Sequence, residues 1–306
     1  MTKLEKLLSE ADRIIDRLQA DYEKELISAY KTALKKIKEE IAAIYDRYGD
    51  QVKYADMLKL KRLQKLNDQI NEIVINLKNE TTDSIKQSIR KIFEESYYRT
   101  GYTFVASTNG VLNFSRIDQA VINASIKNAL DKIGWQTRNR KNILEMTRAV
   151  REEITQGLIQ GKGYSSTAHA INDRLNIGVN KSIRIVRTET HRVQNQARSD
   201  AFGDVKKTVD KIGIDVLKIW DATLDGRTRP SHGNMDGKQA DENGKFNFQG
   251  KLVDGPGMVG DPSEDINCRC RIRYELKGYS PKVRRDNASG ELIEYKTYNE
   301  WKKALQ

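Results

Sequence analysis

Cysteine is almost missing from this chain: 306 residues contain two, Cys268 and Cys270. That excludes a disulfide framework and fits a reducing compartment. Proline is also scarce, and all four residues (Pro230, Pro256, Pro262, Pro281) lie after position 229. The first hundred residues hold no proline and one glycine, Gly49, whereas twelve of the 20 glycines fall between Gly203 and Gly290. With so few breakers the first two thirds are expected to be helical, and the remainder turn-rich with short strands. Long apolar runs are absent too, with nothing near the roughly 18 uninterrupted residues of a membrane span. The opening MTKLEKLLSEADRIID carries acidic residues along its length and lacks the apolar core and small-residue cleavage site of a secretory leader. The expectation is a soluble protein made inside a cell, with no membrane partner.

What is present is charge. Charged residues make up 32% of the chain, against about 25% in an ordinary globular protein. The net charge is +11, unevenly spread: residues 51–200 hold 25 basic and 15 acidic side chains, and both ends are nearly neutral. A basic middle points to a polyanion, inside a cell usually nucleic acid, unless it is only a solvated surface.

Apolar spacing supplies the first elements. Leu4, Leu7, Ala11, Ile14, Leu18, Tyr22, Leu26, Ala29, Ala33, Ile37, Ile41, Ile44 and Tyr48 form one stripe, 44 residues in 12 steps, before Gly49 and Asp50. That step is close to the natural helix period. A second stripe runs from Tyr54 to Leu77, and a third helix is expected to start near Thr82 as N-cap and to carry Ile85, Ile89, Ile92 and Phe93. These stripes read as packing in an antiparallel bundle, or as an arm that docks on a partner. The charge-free run GYTFVASTNGVLNFS at 101–115 suggests a hairpin or a crossing loop, after which helical spacing resumes through Ile133 and from Ile143 to Leu158.

In KSIRIVRTETHRVQNQARSDAF, one face carries Ile183, Val186, Val193, Ala197 and Ala201, and another carries Arg184, Arg187, His191, Asn195 and Arg198. The second face reads either as a row of phosphate contacts, with Arg184, Arg187 and Arg198 binding DNA, or as a polar face packed against the following domain. Further on, IDVLKIWDAT suggests a strand, and INCRCRIRYEL another, with Cys268, Cys270, Ile272 and Tyr274 on one side and Arg269, Arg271 and Arg273 on the other.

The order RTET, WDATLDGRTRPSHGNMDGK and GDPSEDINCRCRI resembles the C-terminal module of phage head-morphogenesis proteins, the minor capsid proteins similar to protein F of phage Mu. The resemblance covers roughly residues 140–275 and rests on Arg187, Thr188, Glu189, Trp220, Asp225, His232, Gly237, Asp261, Pro262, Asn267, Cys268 and Cys270. It implies a protein inside the virion head that associates with the portal protein during procapsid assembly in the host cytoplasm. It also implies contact with phage DNA, aid to DNA packaging or delivery, and the scaffold or major capsid protein as further partners. Relatives can carry cysteines in the first loop, in a pattern like a four-ligand zinc site. Here Arg229 and His232 stand at those places, and Asp265 stands where some relatives have a histidine. His232, Cys268 and Cys270 would supply three zinc ligands, with Asp225, Asp236, Asp261 or Asp265 as a fourth. The other readings are that the cysteines are small core side chains and no cofactor is bound, or that Cys268 and Cys270 form a disulfide.

A rival function is a nucleic-acid-cleaving or transferase-type effector using the His232 loop with Glu189 and Arg227. No nucleophile–base pair stands at a familiar spacing and there is no phosphate-binding glycine loop, so the expectation is a protein that is not an enzyme, with no residue assigned as catalytic. The expected fold class is mainly α with a small C-terminal α+β module: long N-terminal helices, a helical middle and a turn-rich short-strand cap. The expected organisation is a helical N-terminal region at 1–100, a linker and helix at 101–135, the head-morphogenesis module at 136–277 (helical to 212, then strands and loops) and a peripheral tail at 278–306.

Overall fold

The computed structural model describes residues 3–49, 52–107, 114–127, 133–211, 213, 215–277 and 282–304. Helices dominate: α1 (Lys3–Tyr48), α2 (Tyr54–Leu58), α3 (Arg62–Ser107), α4 (Gln119–Lys127), α5 (Trp135–Ile159) and α6 (Tyr164–Lys211). Short elements follow: β1 (Val216–Asp221), α7 (Pro230–Gly233), β2 (Phe246–Phe248), β3 (Lys251–Val253), α8 (Pro262–Asp265), β4 (Arg271–Leu276), β5 (Val283–Arg285), β6 (Leu292–Glu294) and α9 (Tyr298–Lys303). The expected class, mainly α with a small α+β cap, is what forms. No helix among the described residues is long and apolar enough to cross a membrane.

The chain divides into two compact units, one of residues 20–87 and 133–186, the other of 1–19, 88–132 and 187–306. Three long helices, α1, α3 and α6, contribute to both, so the units cut across the expected boundaries at 100 and 135.

The first unit is a helical bundle. Ile37, Ile41, Ile70, Leu77, Ile143, Val150, Ile154, Ile171 and Leu175 share its apolar core, where each buried aliphatic side chain contributes about 1.5–3 kcal/mol. The seam of α1 keeps Ala33, Ile37 and Ile41 of the expected stripe and adds Tyr30 and Tyr45, while Ala29 and Ile44 flank the core. The tyrosines go inward because their hydroxyls find partners there. Tyr30 Oη lies 2.9 Å from Ser182 Oγ, and Asn142 donates to Gly178 O at 2.8 Å and to Tyr30 Oη at 3.2 Å. Burial pushes the Tyr30 phenol up to about 12, so it stays a neutral donor.

Two expectations about α3 are corrected. No helix starts at Thr82, because Thr81 and Thr82 turn their hydroxyls back onto Lys78 O, at 3.1 and 2.7 Å, and the helix runs on. Nor do residues 101–107 form a hairpin: they complete α3, with Phe104 buried. Gly101 is needed there, since a Cβ would stand 2.2 Å from the Phe114 ring. Residues 108–113 of that run lie outside the described residues.

In the second unit β1 and β4 pair antiparallel with Trp220 opposite Ile272, and β2–β3 and β5–β6 form two further ribbons. One apolar cluster gathers Leu4 and Leu8 of α1, Phe104 of α3, Phe202 and Val205 of α6, and Ile272 and Tyr274 of β4. Another gathers Trp220, Leu224, Phe246, Phe248, Cys268, Cys270, Tyr298 and Trp301. The last two come from the segment expected to be a peripheral tail. Its docking is further secured by Arg284, which donates to Asp236 at 2.7 Å and to Ala222 O at 2.8 Å, and by Trp301 Nε1, which donates to Asp286 at 3.0 Å. Gly278 to Pro281 and Leu305 lie outside the described residues.

Candidate functional site

The polar face of α6 decides how the cap is held. His191 donates from Nε2 to Cys270 O at 2.6 Å, and Asn195 Nδ2 donates to Cys270 O at 3.1 Å and to Pro256 O at 3.0 Å. Asn195 Oδ1 in turn accepts from Ile272 N at 2.9 Å, and Arg198 donates to Ile272 O at 3.0 Å. Side chains of one helix thereby satisfy backbone groups of β4, as a neighbouring strand would. Arg198 also forms an ion pair with Asp12, and Asp12 accepts from Gln194 at 3.0 Å and pairs with Arg271 at 3.2 Å. Burial holds the His191 imidazole down near 3, helped by the positive charges of Arg271 and Arg198, so it is neutral at ordinary pH. Of the residues expected to bind DNA, Arg184 and Arg187 are exposed but Arg198 is buried in this network. Arg198 presents no group to a phosphate: with His191 and Asn195 it faces the cap, as the packing alternative required.

Two loops then lace together. Arg269 grips Asp225 with both guanidinium amines, one at 2.7 Å, which holds the carboxyl down to about 2. Thr223 Oγ1 donates to Arg269 O at 2.8 Å, Arg229 to Ile266 O at 2.7 Å, and Ser231 to Glu264 at 2.9 Å. The residues that carry the family resemblance are positioned by the same logic. Thr188 Oγ1 accepts from Asn267 N at 3.3 Å, joining RTET to the final motif. Asn267 adopts a φ of +59°, a left-handed conformation that asparagine tolerates well. Gly237 takes a φ of +74° and donates to Trp220 O at 2.9 Å. Asp261 caps α8 by accepting from Ser263 N at 2.9 Å, with Pro262 in the first turn. Glu189 is fully buried and pairs with Arg192 at 3.2 Å.

At the centre His232, Cys268 and Cys270 converge, although 36 residues of chain separate His232 from Cys268; the two cysteines, expected on the strand, stand in the loop just before β4. All three are buried, and their ligand atoms lie within 4.8 Å of one another. His232 Nδ1 is 3.5 Å from Cys268 Sγ and 3.4 Å from Cys270 Sγ. Its Nε2 stands 3.0 Å from Glu264 Oε2, at ion-pair distance but without hydrogen-bond alignment. The ring meets Trp220 and Phe248 edge-on, each at 5.5 Å between centroids. Burial pushes the Cys268 thiol up, whereas Cys270 is drawn below the usual thiol range, first by the hydrogen bond from Cys268 and then by His232.

The four carboxylates weighed as a fourth ligand are held elsewhere. Asp225 binds Arg269; Asp236 binds Arg284 and the amides of Ala222 and Tyr298; Asp261 caps α8; Asp265 accepts from Val259 N at 2.9 Å and Gly260 N at 2.7 Å. Glu264, the carboxylate that does reach His232, carried no signal beyond its place two residues after Pro262. The residues considered for an enzyme also part company. His232 faces the cysteines, Glu189 pairs with Arg192, and Arg227 points outward with Asp225 at 3.5 Å.

Fold and site together describe a helical protein that ends in a small α+β cap clamped by one long helix. Residues 148–273 match the family of phage Mu protein F like proteins. The chain is 30% identical to minor head protein GP7 of Bacillus phage SPP1, over 96% of each chain. It is also 30% identical, over 98% of its own length, to the NAD(+)–arginine ADP-ribosyltransferase EFV of Enterococcus faecalis (strain ATCC 700802 / V583), of which it spans 61%. No solved structure matches it. The chain belongs to the phage Mu protein F like family of minor head proteins.

Proposed function

We propose that this minor head protein works inside the phage head as a non-catalytic component that associates with the portal protein during procapsid assembly, contacts the packaged DNA and aids its packaging or delivery. The observation that carries the reading is the full-length similarity to a minor head protein, 96% of each chain at 30% identity. The basic stretch 51–200, with Arg184 and Arg187 exposed on α6, supports DNA contact of the sequence-independent kind. Scaffold or major capsid protein are the further partners of such a component, first in the host cytoplasm and then in the virion.

The transferase reading has one observation in its favour, the name of the relative in Enterococcus faecalis. That relative extends well beyond the match. In this chain His232 is 1% exposed and walled by Trp220 and Phe248, and Glu189 is fully buried. Neither is open to a macromolecular substrate, which supports a structural role.

Co-expression with the portal protein tests the first part: the two should co-purify, and the protein should be found in mature particles. A portal that fails to bind under assembly conditions overturns the assignment. Binding to DNA should be weak and fall steeply with salt; a gel shift with no binding at low salt removes the DNA claim. Incubation with labelled NAD and an arginine-bearing acceptor, or with plasmid DNA, should leave both unmodified. Stoichiometric labelling or cleavage would replace this reading by the enzymatic one.

A further inference from the structure

We propose that His232, Cys268 and Cys270 form a zinc site in which His232 Nδ1 and the two sulfurs are the protein ligands and Glu264 is the outer carboxylate behind the histidine. The inference concerns this chain's own residues and does not depend on the head-protein role.

The first argument is geometric. Zinc binds thiolate sulfur at about 2.3 Å and imidazole nitrogen at about 2.0–2.1 Å, and tetrahedral angles then set nitrogen and sulfur about 3.6 Å apart. The observed separations are 3.5 Å to Cys268 and 3.4 Å to Cys270. One imidazole lone pair accepts from one thiol, so hydrogen bonding accounts for one of these approaches. A cation accounts for both.

The second argument is the surroundings of each donor. Both sulfurs are buried beside the imidazole, and the three ligand atoms lie within 4.8 Å of one another. On the other side of the imidazole, Glu264 stands 3.0 Å from Nε2 and is itself held by Ser231 Oγ at 2.9 Å. A carboxylate there favours the tautomer protonated at Nε2, which leaves the Nδ1 lone pair facing the sulfurs. Trp220 and Phe248 enclose the ring and fix its plane.

The donor set names the metal class. Two sulfurs and one imidazole select zinc over calcium or magnesium, which take oxygen. Three protein ligands leave one coordination position to a small exogenous donor such as water.

The test is metal content of the full chain, purified without chelator. About one zinc per chain is expected, lost in Cys268→Ser, Cys270→Ser and His232→Gln. Chelator should lower the unfolding temperature of the wild type, because metal that binds only the folded chain stabilises it. Cobalt(II) added to the stripped wild type should give the thiolate-to-cobalt charge-transfer band in the near ultraviolet, and this arm stands even where the serine variants fail to fold. Folded wild-type protein that carries no transition metal and gives no such band with cobalt overturns the site, as does zinc retained at full stoichiometry in Cys270→Ser.

Discussion

Arg198→Met separates the two uses that the polar face of α6 suggests. Methionine keeps much of the apolar volume and removes every donor. The wild-type guanidinium is 3% exposed, gives Nη1 to Ile272 O at 3.0 Å and forms an ion pair with Asp12. Losing the first bond leaves a carbonyl without its side-chain partner within a buried residue, a cost of about 1–3 kcal/mol. Breaking a fully buried ion pair costs about 3–5 kcal/mol. That figure is an upper bound here, because Asp12 is 21% exposed at its side chain and keeps Arg271 at 3.2 Å and Gln194 at 3.0 Å. A further contribution of about 1 kcal/mol is reasonable for it, and the expected loss of stability is about 2–4 kcal/mol. At roughly 2–4 °C per kcal/mol for a chain of this order of size, melting should fall by roughly 5–15 °C, followed by circular dichroism. Arg184→Gln, at an exposed position, should stay within about 0.5 kcal/mol of wild type. DNA affinity of folded Arg198→Met, measured below its melting point, should be unchanged. If Arg198→Met melts with the wild type and binds DNA more weakly, the clamp argument fails and the arginine is a phosphate contact.

His191 gives a pH signature. Its folded pKa is depressed to about 3 by burial, against roughly 6.5 in an unfolded chain. The unfolded state therefore binds the extra proton first, and the stability that His191 contributes is complete above about pH 6.5 and is lost as pH falls toward 3. His191→Gln, whose amide can still donate to Cys270 O, should flatten the decline in urea-unfolding stability between pH 6.5 and 4; an unchanged slope sinks this account. Trp301→Ala, which empties a buried indole and its bond to Asp286, should cost about 3–5 kcal/mol. A loss below about 1 kcal/mol in thermal unfolding would return the last segment to the peripheral role that the sequence suggested.

What the sequence made legible follows from which forces leave a repeating trace. Breaker distribution and apolar spacing located α1, α5 and β4, because each buries a regular set of side chains; Cys268 and Cys270, expected on that strand, stand in the loop just before it. Of the α1 stripe, Ala33, Ile37 and Ile41 lie in the bundle core; Tyr30 and Tyr45 stood outside the expected stripe, and the hydroxyl partners they find in another helix make them core residues. Thr82 has the chemistry of a cap, and whether its hydroxyl faces an amide ahead or the Lys78 carbonyl behind depends on the helix continuing. Arg198 left the same sequence trace as an exposed arginine. Its burial depends on Asp12 and Ile272, which lie 186 and 74 residues away. The meeting of His232 with Cys268 and Cys270 was readable as a candidate, whereas Glu264 was not, because nothing in its local sequence distinguishes it from other acidic residues near a helix start.

The motif residues have a further consequence for what the family can do. Asp225 with Arg269, Thr188 with Asn267, Gly237 with Trp220 and Asp261 with α8 are all bonds between parts of the cap and the helix that clamps it. They are conditions for folding, and they are indifferent to use. A minor head protein and an arginine ADP-ribosyltransferase both match this chain at 30% identity across nearly its whole length. Activity has to come from somewhere other than these bonds: from chain outside the match, or from exposed surface. In the cap and the helix that clamps it, the groups that look chemical in sequence, His232, Cys270 and Glu189, are all spent inward. The exposed positions that set this protein apart will therefore be found on its helices, where Arg184 and Arg187 face solvent. A surface scan there, read out as portal binding and DNA retention in particles, should change function without changing melting temperature. Variants that lose function only when they also unfold would show that the cap, and not the helical surface, carries the specificity.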